Sequence, residues 1–236
     1  MEAEMIKDVL IIGAGRFGLY TAKKLHELGH DVMVVDQHEE RINQILPYVS
    51  DARIGDSTDK GFLSTLGIPH YDLCIVAIGD DFLSSLQTTF TLDELGAKRI
   101  IARATSHRQE KFLLRNGASH VVFPERELGD WTAIRFSSDS ISNYVDLSEG
   151  YGVFEIDVPV RWGGKRIDEL DVRRKYHINI LGVRDPVSHR ILSSSDKNEV
   201  KAKLPEMNMD IRFDTVLHEG QTMLVLGKTE HIQKIL

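Results

Sequence analysis

Six residues near the start of the chain, Gly13-Ala14-Gly15-Arg16-Phe17-Gly18, carry the spacing Gly-x-Gly-x-x-Gly. Glycine at the first position permits a tight turn. At the second it lets a pyrophosphate approach the backbone, and at the third it lets a following helix pack closely on the preceding strand. The chemistry implied is anion binding by free backbone N–H groups at a helix N-terminus. The spacing alone is a weak signal, but here it has context. An apolar β-branched run precedes it, a helical pattern follows, and the next strand ends in Asp36. A carboxylate there accepts hydrogen bonds from an adenosine ribose and repels a 2′-phosphate, which disfavours NADP. Gly13, Gly15, Arg16, Phe17, Gly18 and Asp36 are therefore the candidate nucleotide-binding residues. The Arg16 guanidinium can pair bidentately with phosphate oxygens or stand solvated at the helix start. The pattern reads adenosine plus a diphosphate, a part shared by NAD, NADH, ADP and ATP.

The elements that must position these residues alternate. Strand patterns at 9–12, 31–36, 52–54, 72–78, 99–102 and 120–123 are separated by helical patterns at 17–28, 39–46, 58–63, 81–95 and 107–116. Gly29 ends the first helix and Pro47 stops the second. Continuously apolar strands linked by helical crossovers predict parallel strands covered on both faces. The fold class is α/β: a six-stranded Rossmann-type doubly wound sheet, with a second, smaller α+β domain. Pro124 followed by Glu125 reads as a helix start, and that helix is expected to run to about residue 144. Ser148, Glu149, Gly150 and Gly152 mark a boundary over 146–152. Strands are expected at 153–158, 178–183 and 223–226, with a helix at 167–176. The stretch 196–212 is polar and fits no element. The expected division is 1–123 for the nucleotide-binding domain, 124–150 for a helical crossover, and 151–236 for the small α+β domain.

Composition narrows the function. The 236 residues carry 29 Lys and Arg against 36 Asp and Glu, a net charge of −7, and this acidic balance argues against nucleic acid as a partner. With one cysteine, Cys74, there is no internal disulfide and no Cys-rich zinc site. Cys74 reads as core packing. No apolar stretch approaches the roughly 20 residues of a membrane span, so no direct membrane insertion is expected. The acidic residues 1–5 lack the features of a signal peptide, and a cytoplasmic protein is expected.

The segments Gly-Ala-Gly-Arg-Phe-Gly, Val34-Val35-Asp36, Gly55-Asp56-Ser57-Thr58, Val76-Ala77-Ile78-Gly79 and Gly117-Ala118 through Pro124-Glu125 fall in a specific order. In that order they resemble the regulator-of-potassium-conductance (RCK) domain of bacterial Ktr/Trk-type potassium uptake systems. Ile167-Asp168-Glu169-Leu170, Arg173 to Tyr176 and Asn179 to Val183 are similar to that family's C-terminal domain. The resemblance is closest to the cytosolic Ktr gating subunit. It implies dimers assembled into a ring, in such relatives an octamer, at the inner face of the cell membrane beneath a membrane-embedded potassium-translocating subunit. ATP and ADP, or NAD and NADH, would set the ring shape. It further implies that Asp56 and Ser57 lie near the adenine, that Gly79 lines the cleft, and that Arg103 lies near the phosphates. Glu125 would help hold Mg²⁺ or Ca²⁺ beside the γ-phosphate; otherwise it is a first-turn acid favoured by the helix dipole. Arg173, Asn179 and Ile180 match positions that contribute to a cyclic di-AMP site. The absence of a proline in 189–194, and the length of 196–212, depart from that pattern.

The competing reading is an NAD-dependent oxidoreductase with a small C-terminal substrate domain. It needs an acid/base side chain beside the nicotinamide. The ten histidines are scattered, and His26, His30 and His38 read as surface residues. No Gly-x-Ser-x-Gly sequence occurs. A switch rather than an enzyme is expected. Trp131, Phe136 and Tyr144 are read as subunit-interface anchors or as core.

Overall fold

The structure, a computed structural model, describes residues 6–186 and 205–236. The sequence readings of 1–5, 189–194 and 196–204 lie outside the described residues.

The first unit, residues 1–127, is built on alternation. It runs β1 (Asp8–Ile12), α1 (Arg16–Glu27), β2 (Asp31–Asp36), α2 (Glu39–Ile45), β3 (Asp51–Ile54), α3 (Lys60–Ser64), β4 (Leu73–Val76), α4 (Phe82–Glu94), β5 (Ile100–Arg103), α5 (His107–Arg115) and β6 (His120–Val122). The strands pair in the order β3-β2-β1-β4-β5-β6, with parallel registers such as Ile12 beside Val35 and Val76. Side chains alternate across a strand, so each central strand feeds two cores. Leu10, Ile12, Cys74 and Val76 pack under Leu63, Leu92 and Leu113 of α3, α4 and α5. Val9, Ile11 and Ile75 pack under Ala22, Ile42 and Ile45 of α1 and α2. Burial on both faces explains why Val9–Ile12 and Leu73–Val76 are apolar at every position. The order reverses between β1 and β4, which opens a crevice at the carboxyl ends of the strands.

The next helix, α6 (Pro124–Arg135), ends nine residues short of the expected 144. Ser137, Ser138 and Asp139 follow it, and the Ser137 hydroxyl donates to the Ile134 carbonyl at 2.8 Å, a local bond that competes with helix continuation. The chain then enters β7 (Ile141–Ser148), which pairs antiparallel with β8 (Tyr151–Asp157). Residues 146–152, read as a boundary, are the tip of this hairpin. Glu149 and Gly150 take φ of 52° and 78°, the left-handed pair a tight hairpin needs.

The second unit, residues 128–236, continues through α7 (Ile167–Leu170), α8 (Val172–Tyr176), β9 (Asn179–Arg184), β10 (Thr222–Lys228) and α9 (Thr229–Gln233). The single helix expected at 167–176 is broken at Asp171, whose φ is 46°. The sheet order is β7-β8-β10-β9, all antiparallel. One face carries the core of Phe154, Ile156, Met223 and Val225, closed by Trp162 and Ile232. Tyr144 belongs to this core at 4% exposure. Trp131 is half-buried against it and donates to the Tyr144 carbonyl at 2.9 Å, whereas Phe136 is exposed.

Candidate nucleotide site

The crevice over β1 and β4 is a cleft of about 1010 Å³, and every nucleotide-site residue named from sequence lines it except Gly18. Gly18 stands behind the loop: a Cβ there would lie 1.9 Å from the Gly13 carbonyl oxygen. Gly13 adopts φ +102°, open to glycine at little cost, and donates its N–H to the Val35 carbonyl at 2.8 Å. Gly15 differs from both. Nothing lies within 4 Å of where its Cβ would be, so the space it leaves faces the open cleft. The helix it begins is also bare. The starts of α3, α4 and α5 are capped by the side chains of Asp59, Asp81 and Ser106, whereas α1 has no side-chain cap and no acid in its first turn. Free N–H groups and the positive end of the helix dipole thus point at the cleft beside exposed Arg16.

Asp36 ends β2 beneath this loop. Its carboxylate accepts from the Ala14 N–H at 2.7 Å and from the His38 N–H at 2.8 Å. The His38 ring Nδ1 lies 2.9 Å away, and an Arg41 guanidinium nitrogen 3.4 Å away. Burial pushes the Asp36 pKa up, but these donors outweigh it and hold the carboxyl below its ordinary value. Ala14 thereby ties the glycine loop to the carboxylate that ends β2.

The loop after β3 forms the far wall. Asp56 accepts from the Thr58 N–H at 2.9 Å and the Thr58 hydroxyl at 2.8 Å, bonds that lower its pKa and shape the turn. The Ser57 hydroxyl lies 2.8 Å from that of Thr88 on α4 and is buried with it. Ser57 therefore fixes the wall, and the Thr88 hydroxyl also lies 3.3 Å from its carbonyl oxygen.

Opposite, Arg103 ends β5 and lies over Gly79, where a Cβ would come within 2.3 Å of its guanidinium. Its guanidinium carbon sits 5.9 Å from the centre of the Phe17 ring, and it is paired with Glu125. Its Nε is buried without a partner. The Glu125 side chain is 54% exposed, and a pair this open to water contributes about 1 kcal/mol or less. No group of three or more His, Cys, Asp or Glu side chains is arranged to hold a metal among the described residues. Glu125 thus offers a cation one carboxylate, already paired, so a cation here would need oxygens from a bound phosphate.

His38, read from sequence as a surface residue, and Arg41, not singled out, both line the same cleft. Their positions two and five residues after Asp36 were the available signal. In the second unit, Arg173 Nε donates to Asn179 Oδ1 at 2.7 Å, bringing those two together, while Ile180 packs inward against the core.

Residues 9–124 match the TrkA-N domain family. Over 180 residues the chain is 39% identical to Ktr system potassium uptake protein C of Bacillus subtilis (strain 168), covering 76% of this chain and 81% of that protein. Over 226 residues it is 30% identical to Ktr system potassium uptake protein A of Vibrio alginolyticus, covering 96% and 94%. The chain belongs to the Ktr/Trk family of potassium uptake proteins. Among solved structures, the GsuK RCK domain superposes on 99% of this Ktr-family chain with a TM-score of 0.61 at 19% identity, which shows a shared fold. The chain spans 47% of the length of that structure. The GsuK channel bound to NAD aligns equally well, with a TM-score of 0.61. No helix among the described residues is long and apolar enough to cross a membrane.

Proposed function

We propose that this Ktr-family protein is the regulatory subunit of a potassium uptake system and gates a membrane-embedded partner in response to adenine nucleotides. The observation that carries this reading is the bare N-terminus of α1, facing a cleft whose ribose acid is bonded to the same loop. A diphosphate on the free amides of residues 15–18 places the adenosine toward Asp36 and the loop at 55–58. A third phosphate reaches Arg16 and the Arg103–Glu125 pair. ADP lacks those last contacts, and only such differential contact can shift a protein between two shapes. Carrying a two-state assembly almost fully across takes about 5 kcal/mol. Summed over the copies in a ring of dimers, about 1 kcal/mol per site is enough. Exchange of the weak Arg103–Glu125 pair for phosphate is on that scale.

In this reading the protein works at the inner face of the membrane through its partner, without inserting. Glu125 would help hold Mg²⁺ or Ca²⁺, which would supply charge neutralisation for a bound triphosphate. Cyclic di-AMP, bound near Arg173, Asn179 and Ile180, would be a second effector. The test is titration of the intact chain with ATP, ADP, NADH and NAD, together with co-purification from membranes. Binding of adenine nucleotides without turnover, and recovery of a potassium-transporting membrane protein, are the expected results. Reproducible hydride transfer to a small substrate would instead establish the oxidoreductase reading.

A further inference from the structure

The acid that should grip the ribose is already full. Asp36 Oδ2 accepts from the Ala14 N–H at 2.7 Å and from Arg41 Nη1 at 3.4 Å. Oδ1 accepts from the His38 N–H at 2.8 Å and lies 2.9 Å from His38 Nδ1. Because a carboxylate only accepts, that Nδ1 carries the hydrogen. An ionised carboxylate has about four acceptor positions, and all are used. The group is also covered: the Asp36 side chain is 4% exposed, while those of His38 and Arg41 are 52% and 45% exposed. Two of the four donors are backbone amides, fixed by the phosphate loop and by the entry to α2. The other two are side chains on the solvent side, with room to swing out.

We propose that His38 and Arg41 are specificity-determining residues of the nucleotide cleft, forming a displaceable cover that a ribose diol must replace to reach Asp36. This rests on the nucleotide reading of the cleft given above. Binding is then an exchange. Ribose hydroxyls donate to Oδ1 and Oδ2, the His38 ring and the Arg41 guanidinium move into water, and the two backbone bonds stay. The cover competes with the sugar alone, because the phosphate-loop amides are not part of it. It therefore reduces the advantage of a ribonucleotide over a sugar without hydroxyls, and it tunes sugar selectivity rather than overall affinity. His38, with the shorter contact, carries more of the effect than Arg41.

The experiment compares ATP with 2′,3′-dideoxy-ATP by calorimetry on the intact protein. It uses the unsubstituted chain, His38→Ala, Arg41→Ala, and His38→Ala combined with Asp36→Asn. The expected result for His38→Ala is a rise of about three- to tenfold in the ATP to dideoxy-ATP affinity ratio, the worth of one ordinary hydrogen bond. Affinity for dideoxy-ATP stays near its original value, Arg41→Ala gives a smaller rise, and adding Asp36→Asn removes the gain. A purely structural role for His38 would weaken both ligands equally. If both nucleotides bind every variant and the ratio does not rise in His38→Ala, the cover is overturned while the nucleotide reading stands. If neither nucleotide binds the unsubstituted protein, the nucleotide reading falls and the cover with it.

Discussion

Gly15 and Gly18 belong to one motif, yet the structure separates what each is for, and replacing each with alanine should give opposite signatures. At Gly15 an added methyl meets nothing within 4 Å. Its φ of −65° suits alanine. Alanine is a poorer helix-capping residue than glycine, a loss of roughly 0.5–1 kcal/mol. It also restricts the unfolded chain, a gain of about 0.4–1 kcal/mol. The two offset, so Gly15→Ala should melt within a degree or two of the unsubstituted protein. Its nucleotide affinity should collapse, because the methyl occupies the space a diphosphate needs. Losing even one hydrogen bond to a charged phosphate costs about 1.5–3 kcal/mol, a ~10- to 100-fold weakening. Gly18→Ala does the reverse. Its methyl would sit 1.9 Å from a backbone carbonyl, so α1 must shift off β1, at about 1–3 kcal/mol. At roughly 4 °C per kcal/mol the unligated melting temperature falls by about 4–12 °C. The assay is thermal melting without ligand, then calorimetric titration with ADP. Undiminished ADP affinity in Gly15→Ala would refute the argument, since the open space beside residue 15 would then not be where phosphate binds.

Further outcomes follow from the same geometry. Arg16→Gln should weaken ATP more than ADP in paired titrations, because only the third phosphate calls on that guanidinium; equal losses would place Arg16 elsewhere. Glu125→Gln should reduce the extra thermal stabilisation that Mg²⁺ or Ca²⁺ adds to ATP, and an unchanged increment would remove Glu125 as a ligand. The folded Asp36 carboxyl lies below its ordinary 3.8. Its ionised form therefore contributes stability that is present above about pH 4 and is withdrawn as pH falls through the folded value. In denaturant titrations the deficit of Asp36→Asn should be largest near neutrality and should shrink below pH 4.

The parts of the molecule legible in its residues are those where one local pattern has one physical solution. Strands such as 73–76, apolar at each position, fit only a sheet covered on both faces, and the glycine loop with Asp36 at the next strand end fits only a turn under a cleft. The hairpin at 141–157 was hidden because Glu149-Gly150 is the same signal for a domain boundary and for a tight turn. Helix α6 was overextended because Pro124 and Glu125 mark where a helix starts and not where it stops; the Ser137-Ser138-Asp139 cluster ends it, and Tyr144 is buried from a strand. The Arg103–Glu125 pair and the cover on Asp36 arise from contacts that depend on side-chain reach across the cleft, and spacing alone does not encode reach.

Amide hydrogen exchange across residues 13–18, with and without saturating ADP, reads the uncapped start of α1 itself. Exchange at Gly15, Arg16 and Phe17, whose N–H groups begin α1 without a side-chain cap, should slow sharply when the nucleotide is added. Unchanged exchange there, at a nucleotide concentration that demonstrably saturates binding, would contradict it.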